Sequence, residues 1–302
     1  MRDDAHGPYI IISPVKDEAA HIRQTIGSVL SQRVRPVHWL IVDDGSADGT
    51  DAIVRRETKG IDWIGLLKTG RREPRNTGAA EVAAFMAGYH FLAGQDFDYI
   101  VKLDGDLSFA PDYFQILLER FASNPALGIA SGCYLEAGPT GWKPVAMPEY
   151  HAAGASKVVR RQCFQDIGGF IQRRGWDTVD EIRAWRHGWE TCHFPDLAFL
   201  HLRGEGTGMG TIRTALMHGE IYCNTGGSPG FFLLKTLRRC LFGRPLLLNG
   251  AALFLGYCRM VLRGRELLVT EEEAACYRRR LNARLLGPFS SSLLKPMKSK
   301  GH

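Results

Sequence analysis

Four short apolar runs, separated by stretches of helical spacing, constrain this chain more than any other feature. Tyr9 to Val15 is the first run, ending at a proline-marked turn, and Ile22, Ile26, Val29 and Leu30 follow at helical intervals. Val37 to Asp43 is the second, with Asp48 placed to cap the helix after it, and Ile61 to Leu67 is the third. Ala79 to Phe91 is rich in alanine with Val82, Met86 and His90 on one stripe, and Tyr99 to Asp104 returns as a buried strand. The order βαβαβαβ implies parallel pairing with right-handed crossovers, an α/β fold with a Rossmann-like, mostly parallel sheet flanked by helices. Ligands of such sheets sit beyond the carboxyl ends of the strands, where Asp43 and Asp104 stand.

Beyond Asp106 the pattern becomes mixed α+β. Pro111 to Phe121 predicts a helix, Gly128 to Tyr134 a strand, and Glu136 to Gly154 a loop holding several Gly and Pro. ASKVVRRQCFQDIGGF gives a strand, a short helix and a Gly-Gly break before a helix opened by Asp177. A chain of 302 residues has room for one large domain with an appendage, expected as 1–215 followed by a helical, basic and apolar 216–302. The net charge of +6 draws on a basic tail from Lys235 to Arg284 and suits anionic partners: nucleotide phosphates, anionic lipid or nucleic acid. The seven cysteines show no Cys-x-x-Cys pair and read as reduced core or interface residues. Charges in MRDDAHGPYIII replace the apolar stretch of a secretory signal, so the chain is expected to begin in the cytoplasm.

Three acidic clusters follow or open these elements. In VDDGSADGT a Gly-rich turn explains part of the pattern, but Asp43 and Asp44 are also candidates to accept hydrogen bonds from a nucleobase or ribose. Asp104 and Asp106 straddle a glycine, which lets both carboxylates converge on a hard cation, Mg²⁺ or Mn²⁺; an acidic surface loop is the alternative. Lys68, Arg71, Arg72 and Arg75 precede a helix whose N-terminus suits phosphate, with a solvated basic loop as the alternative for the first three. Asp177, Asp180 and Glu181 fit a capping arrangement with Asp177 as N-cap, and equally a general base that deprotonates an attacking hydroxyl.

Taken in order, SPVKDE, VDDGSADGT, Arg75-Asn76-Thr77-Gly78, LDGD, VVRRQCFQDIGGF and GWDTVDE resemble the family-2 glycosyltransferases, over roughly Tyr9 to Gly208. The resemblance implies a GT-A type nucleotide-diphospho-sugar domain and inverting transfer, with UDP as the expected nucleotide. It implies that Pro14, Glu18, Asp43, Asp44, Arg75 and Asp104 hold the nucleotide, and that Asp104, Asp106 and His201 reach a metal. A lone histidine is more often structural, which is the other reading of His201. Register on Arg183 and Gly188-Trp189 puts Asp177 at the base position, with Asp180 second; Trp176 stands where the family carries Glu. Processive members carry Gln-x-x-Arg-Trp after this helix, and QRRGW here precedes it, so one sugar per encounter is expected.

Phe231 to Arg265 mixes bulky apolar runs with basic residues, and its uncharged stretch from Pro245 to Cys258 is shorter than a spanning helix needs. It reads as an interfacial anchor at the cytoplasmic leaflet of the plasma membrane, with a lipid-linked glycan acceptor, or as a helical hairpin packed on the catalytic domain or a partner subunit. Two other functions fit parts of the pattern. A sugar-nucleotide nucleotidyltransferase is expected to carry a Gly-rich basic loop where SPVKDE stands. A non-catalytic scaffold or nucleic-acid binder leaves the three acid clusters unexplained, and the stacking-aromatic pattern of nucleic-acid sheets is missing. A dinucleotide-binding dehydrogenase is disfavoured because no Gly-x-Gly-x-x-Gly follows the first strand.

Overall fold

The computed structural model describes residues 7–70, 79–138, 140–203, 210–264 and 266–285. The chain divides into two compact units, 1–205 and 206–302. The first opens with β1 (Tyr9–Val15), α1 (Ile22–Leu30), β2 (His38–Asp43), α2 (Thr50–Glu57), β3 (Ile64–Lys68), α3 (Ala79–Phe91) and β4 (Tyr99–Leu103). It continues through β5 (Leu107–Phe109), α4 (Tyr113–Ser123), β6 (Leu127–Gly138), β7 (Gly141–Pro144), β8 (Ser156–Arg160), α5 (Arg161–Asp166), α6 (Trp176–Arg186) and β9 (Glu190–His201).

The nine-stranded sheet runs β3-β2-β1-β4-β8-β6-β9-β5, with β7 hydrogen-bonded to β6. β3, β2, β1 and β4 are mutually parallel, as the alternating pattern predicts. Beyond β4 the sheet is mixed: β8 runs antiparallel to both β4 and β6, while β6 and β9 are parallel. The α/β sheet flanked by helices is as expected, with parallel pairing among β1–β4 and between β6 and β9 and antiparallel pairing at β8, β7 and β5. Side chains alternate into two cores: Ile11, Ile41 and Val101 join one, and Ile10, Ile12, Leu40, Val42 and Ile100 the other. Helices covering both faces explain why these strands are continuously apolar.

Several boundaries differ from the sequence pattern for identifiable reasons. β3 begins at Ile64 because Ile61 N–H closes a turn onto the Thr58 carbonyl (3.1 Å). The expected loop Glu136–Gly154 begins as a hairpin, with Leu135 opposite Pro144 and Glu136 opposite Lys143. Its strands were illegible because their outer residues are polar or Gly and Pro and lack alternation. The N-cap of α2 is Gly49 (φ 90°), with Asp48 one position upstream, accepting from the Thr50 N–H at 3.0 Å. The N-cap of α6 is Gly175 (φ 86°), so Asp177 lies inside the first turn and does not cap.

The second unit contains α7 (Thr211–Asn224), α8 (Pro229–Phe242), α9 (Leu248–Leu262) and α10 (Glu271–Leu285). α7 and α9 approach backbone to backbone: a Cβ on Gly219 would lie 2.0 Å from the Leu253 carbonyl oxygen, and one on Gly256 2.0 Å from that of Leu216. Among the described residues no helix is long and apolar enough to cross a membrane. Gly219→Ala is expected to lower stability by about 1–3 kcal/mol through overpacking. Gly230→Ala, where a Cβ meets open space, should change it by less than about 1 kcal/mol in the stabilising direction. Denaturant melts of the two variants check both.

Candidate active site

Pairing of β1 with its neighbours brings several strand ends to one edge. Val15 lies opposite Asp43, Asp43 opposite Lys68, and Ile12 opposite Lys102. Pro14 is buried in β1 opposite Val42. The loops leaving β1 and β2 are stitched together there. Asp17 N–H donates to Ser46 Oγ (3.0 Å), Ala47 N–H to Asp17 Oδ1 (2.8 Å), Glu18 N–H to Thr50 Oγ1 (2.9 Å) and Ala19 N–H to Asp48 Oδ2 (2.9 Å). Asp43 is fully buried; Oδ1 accepts from Ser46 N–H at 2.8 Å, and Oδ2 has no partner among the described residues. Asp44 accepts from the Thr69 hydroxyl at 2.6 Å. A buried carboxylate oxygen left without a donor is costly, and Asp43 Oδ2 could accept a hydrogen bond from a ligand hydroxyl or imino group.

The loop after β4 is pinned from beneath by Thr25, whose hydroxyl donates toward the Gly105 and Leu107 carbonyls at 2.8 and 2.9 Å and accepts from Leu107 N–H at 3.0 Å. Gly105 is required by close approach, not by its backbone angle: a Cβ would meet Val15 Cγ1 at 2.9 Å and Glu18 Cγ at 3.1 Å. Asp106 faces His201 Nε2 at 3.6 Å and Arg203 Nε at 3.9 Å, and Arg203 also ion-pairs with Glu18. Arg203 and Asp106 thus connect Glu18 to His201 in one chain of contacts. Burial pushes the Asp106 carboxyl up, but His201 and Arg203 outweigh it and hold it below the usual carboxylate range. Burial likewise opposes charge on His201, yet Asp106, Asp104 and Glu136 raise its pKa.

Asp104 turns to a different partner. Lys102, 2% exposed in the middle of β4, contacts Asp104 Oδ1 at 2.5 Å and also pairs with Glu81 on α3. Burial, with Glu81 and Asp106 nearby, outweighs Lys102 and brings the Asp104 carboxyl up to about 6. A carboxylate and an imidazole nitrogen side by side suit a divalent cation that completes its shell with water and phosphate oxygens. Asp106 and His201 fit that description better than Asp104 does. Among the described residues no group of three His, Cys, Asp or Glu surrounds a common point.

The first turn of α6 joins the same edge. Asp104 N–H donates to the Ala155 carbonyl (2.8 Å), and Gly154 packs on Trp176 and on Asp177 Cβ. Asp177 is half-buried, and its carboxylate has no hydrogen bond or ion pair among the described residues. Asp180 is the opposite case: fully buried and paired with Lys157 Nζ at 2.8 Å, its carboxyl driven up to about 7 mainly by burial. Glu181 accepts from Ala152 N–H (2.7 Å) and lies 2.9 Å from His151 Nδ1. Arg75 falls in 71–78, outside the described residues.

Sequence reasoning overlooked Arg203, Lys102, Lys157 and Glu81. The lysines had a legible signal, since a charge inside YIVKL or SKVVR must meet a counter-charge once buried. Arg203 had none beyond its place two residues after His201.

This sheet has the architecture of a GT-A-type glycosyltransferase domain. The chain belongs to glycosyl transferase family 2, whose model matches residues 10–190. It is a glycosyltransferase, which sets aside the nucleotidyltransferase and scaffold alternatives. Over 240 residues it is 23% identical to an N-acetylglucosaminyl-diphospho-decaprenol L-rhamnosyltransferase of Mycobacterium tuberculosis, covering 66% of this chain and 77% of that protein. It is 30% identical over 124 residues to a polyprenol monophosphomannose synthase of Mycolicibacterium smegmatis, covering 40% and 44% respectively. A mannosyltransferase of Pyrobaculum calidifontis, solved in complex with GDP-Man and Mn²⁺, shares the GT-A fold at TM-score 0.58 and 18% identity, over 96% of this chain and 83% of that one.

Lys102→Met would leave Asp104 and Glu81 without their buried cation. Because both acids keep some solvent contact, the expected loss is about 2–3 kcal/mol, read by urea denaturation.

Proposed function

We propose that the enzyme transfers one sugar per encounter, with inversion, from a nucleoside-diphosphate donor to a hydroxyl of a polyprenyl-linked glycan. The observation that carries this reading is the contrast between two acids one helical turn apart. Asp180 is locked in a buried ion pair, while the half-buried Asp177 makes no side-chain hydrogen bond or ion pair among the described residues. Asp177 is therefore the base: it takes the proton of the acceptor hydroxyl as the new bond forms at the anomeric carbon. Asp43 and Asp44 hold the nucleoside, with Asp43 Oδ2 accepting from ribose or base. Pro14 shapes the floor beneath it, and the family resemblance assigns Arg75, outside the described residues, to the phosphates.

Asp106 and His201 are the residues that would hold Mg²⁺ or Mn²⁺, and Asp104 orients the loop through Lys102. When bound, the cation supplies positive charge to the departing diphosphate. Arg203 and Glu18 fix the orientation of Asp106 from the side. The polyprenyl acceptor is supported by the names of the two mycobacterial relatives.

The helical unit supports docking on an anionic bilayer, peripherally and at the cytoplasmic leaflet. One whole face of α9 is apolar and exposed, including Leu248, Phe254, Leu255, Val261 and Leu262, the last 86% exposed. The exposed Arg238, Arg244 and Arg263 flank it, the pattern of an interfacial helix. α9 is about 22 Å long, short of the about 30 Å hydrocarbon core.

A panel of UDP-, GDP- and dTDP-sugars is expected to give Mn²⁺-dependent release of nucleoside diphosphate with one donor, abolished by EDTA. Asp177→Asn should keep donor binding by calorimetry and lose about 10²- to 10⁴-fold in kcat. Asp106→Ala should lose the Mn²⁺-dependent part of binding. Undiminished turnover by Asp177→Asn moves the base elsewhere. For the helical unit, Leu255→Asp with Leu262→Asp is expected to abolish co-sedimentation with anionic vesicles. A change in oligomeric state at unaltered vesicle binding would assign the face to a second copy instead.

A further inference from the structure

Two buried lysines lie directly opposite each other in the sheet. Lys102 on β4 is in register with Lys157 on β8, so both side chains leave the same face. Like charges at facing cross-strand positions repel, and these two are 2% and 0% exposed. Both lie over the indole of Trp176, the first residue of α6, with its ring centroid 5.4 Å from Lys102 Nζ and 4.9 Å from Lys157 Nζ. Its negative π face is the element that both ammonium groups share.

Each lysine continues the chain of contacts outward in a different direction. Lys102 grips Asp104 and Glu81, which fixes the acidic loop after β4. Lys157 donates to the Asp177 carbonyl at 3.2 Å and to Asp180 Oδ2 at 2.8 Å, which fixes the first turn of α6. Asp180 Oδ1 in turn accepts from Glu181 N–H at 2.6 Å. Stability does not account for the arrangement, since replacing a buried ion pair with apolar residues is often neutral or stabilising.

We propose that Lys157 is a positioning residue for the base Asp177, and that Trp176, whose ring both lysines contact, holds the base turn in fixed register with the Asp104 loop. The inference rests on the assignment of Asp177 as base.

The test uses the full chain and the nucleotide-sugar that gives Mn²⁺-dependent turnover in the panel, measuring kcat, donor KM and melting temperature. Lys157→Met with Asp180→Leu removes the clamp without leaving a buried charge unpaired. It should fold, keep its donor KM, and lose about tenfold to a hundredfold in kcat through misplacement of the base. Trp176→Leu should lose kcat in the same way, and Trp176→Phe, which keeps a π face, should lose far less although both lower the melting temperature. Should the double variant not fold, the two Trp176 variants decide. Equal kcat losses in Trp176→Phe and Trp176→Leu, or losses that track the melting temperature, overturn the proposal. Full turnover by Asp177→Asn overturns the base assignment and this inference with it. An inactive Asp177→Asn beside fully active Lys157 and Trp176 variants overturns this inference alone.

Discussion

A parallel sheet delivers the carboxyl end of every strand to one edge, and the pairing of β1 with β2 and β4 decides which residues arrive there together. Both faces of these strands are apolar, so hydrophobicity by itself does not fix their register. Buried polar contacts do. The Trp39 indole N–H donates to the Ser13 hydroxyl across β2 and β1 at 2.9 Å. At the strand ends, the hydrogen bonds between the β1 and β2 loops hold the same register. A slip of one residue would break these contacts together and carry Asp43 away from its place opposite Val15.

Charge compensation then gives chemically similar acids different tasks. Asp106 is held ionised by His201 and Arg203, Asp104 is gripped by Lys102, and Asp180 is sealed against Lys157. Asp177 makes no hydrogen bond or ion pair among the described residues, is half-buried, and feels His151 and Lys157 only at longer range. Environment separates these carboxylates, which is the general way one residue type comes to play several parts in a site. Gly105 must be glycine because the acidic loop lies so close to Val15 and Glu18 that a methyl group would displace it.

Much of this was legible in the chain. Continuous apolar runs alternating with helical spacing gave β1, β2 and β4 within about a residue of their ends, because helices cover both faces of those strands. The acids at the strand ends were visible for the same reason. The hairpin of β6 and β7 was not, since β7 (Gly141–Pro144) is exposed along its whole length and carries no apolar period. Asp48 and Asp177 were misplaced as caps because Gly49 and Gly175, in left-handed conformations, take that position. The counter-charges were hardest to see. Arg203 reaches Glu18 across most of the first unit, and Lys102 and Lys157 become neighbours only when β4 and β8 pair.

The central claim is that carboxylates from distant segments share one rim and there grip a nucleoside diphosphate through a divalent ion. A crystal structure of the enzyme with Mn²⁺ and the nucleoside diphosphate of its donor, with data collected at the manganese edge, tests this most directly. An anomalous peak within coordination distance of Asp106 and His201, with the nucleoside against Asp43 and Asp44, is the predicted result. A peak at any other group of side chains, or a nucleoside bound away from the ends of β1 and β2, would contradict it.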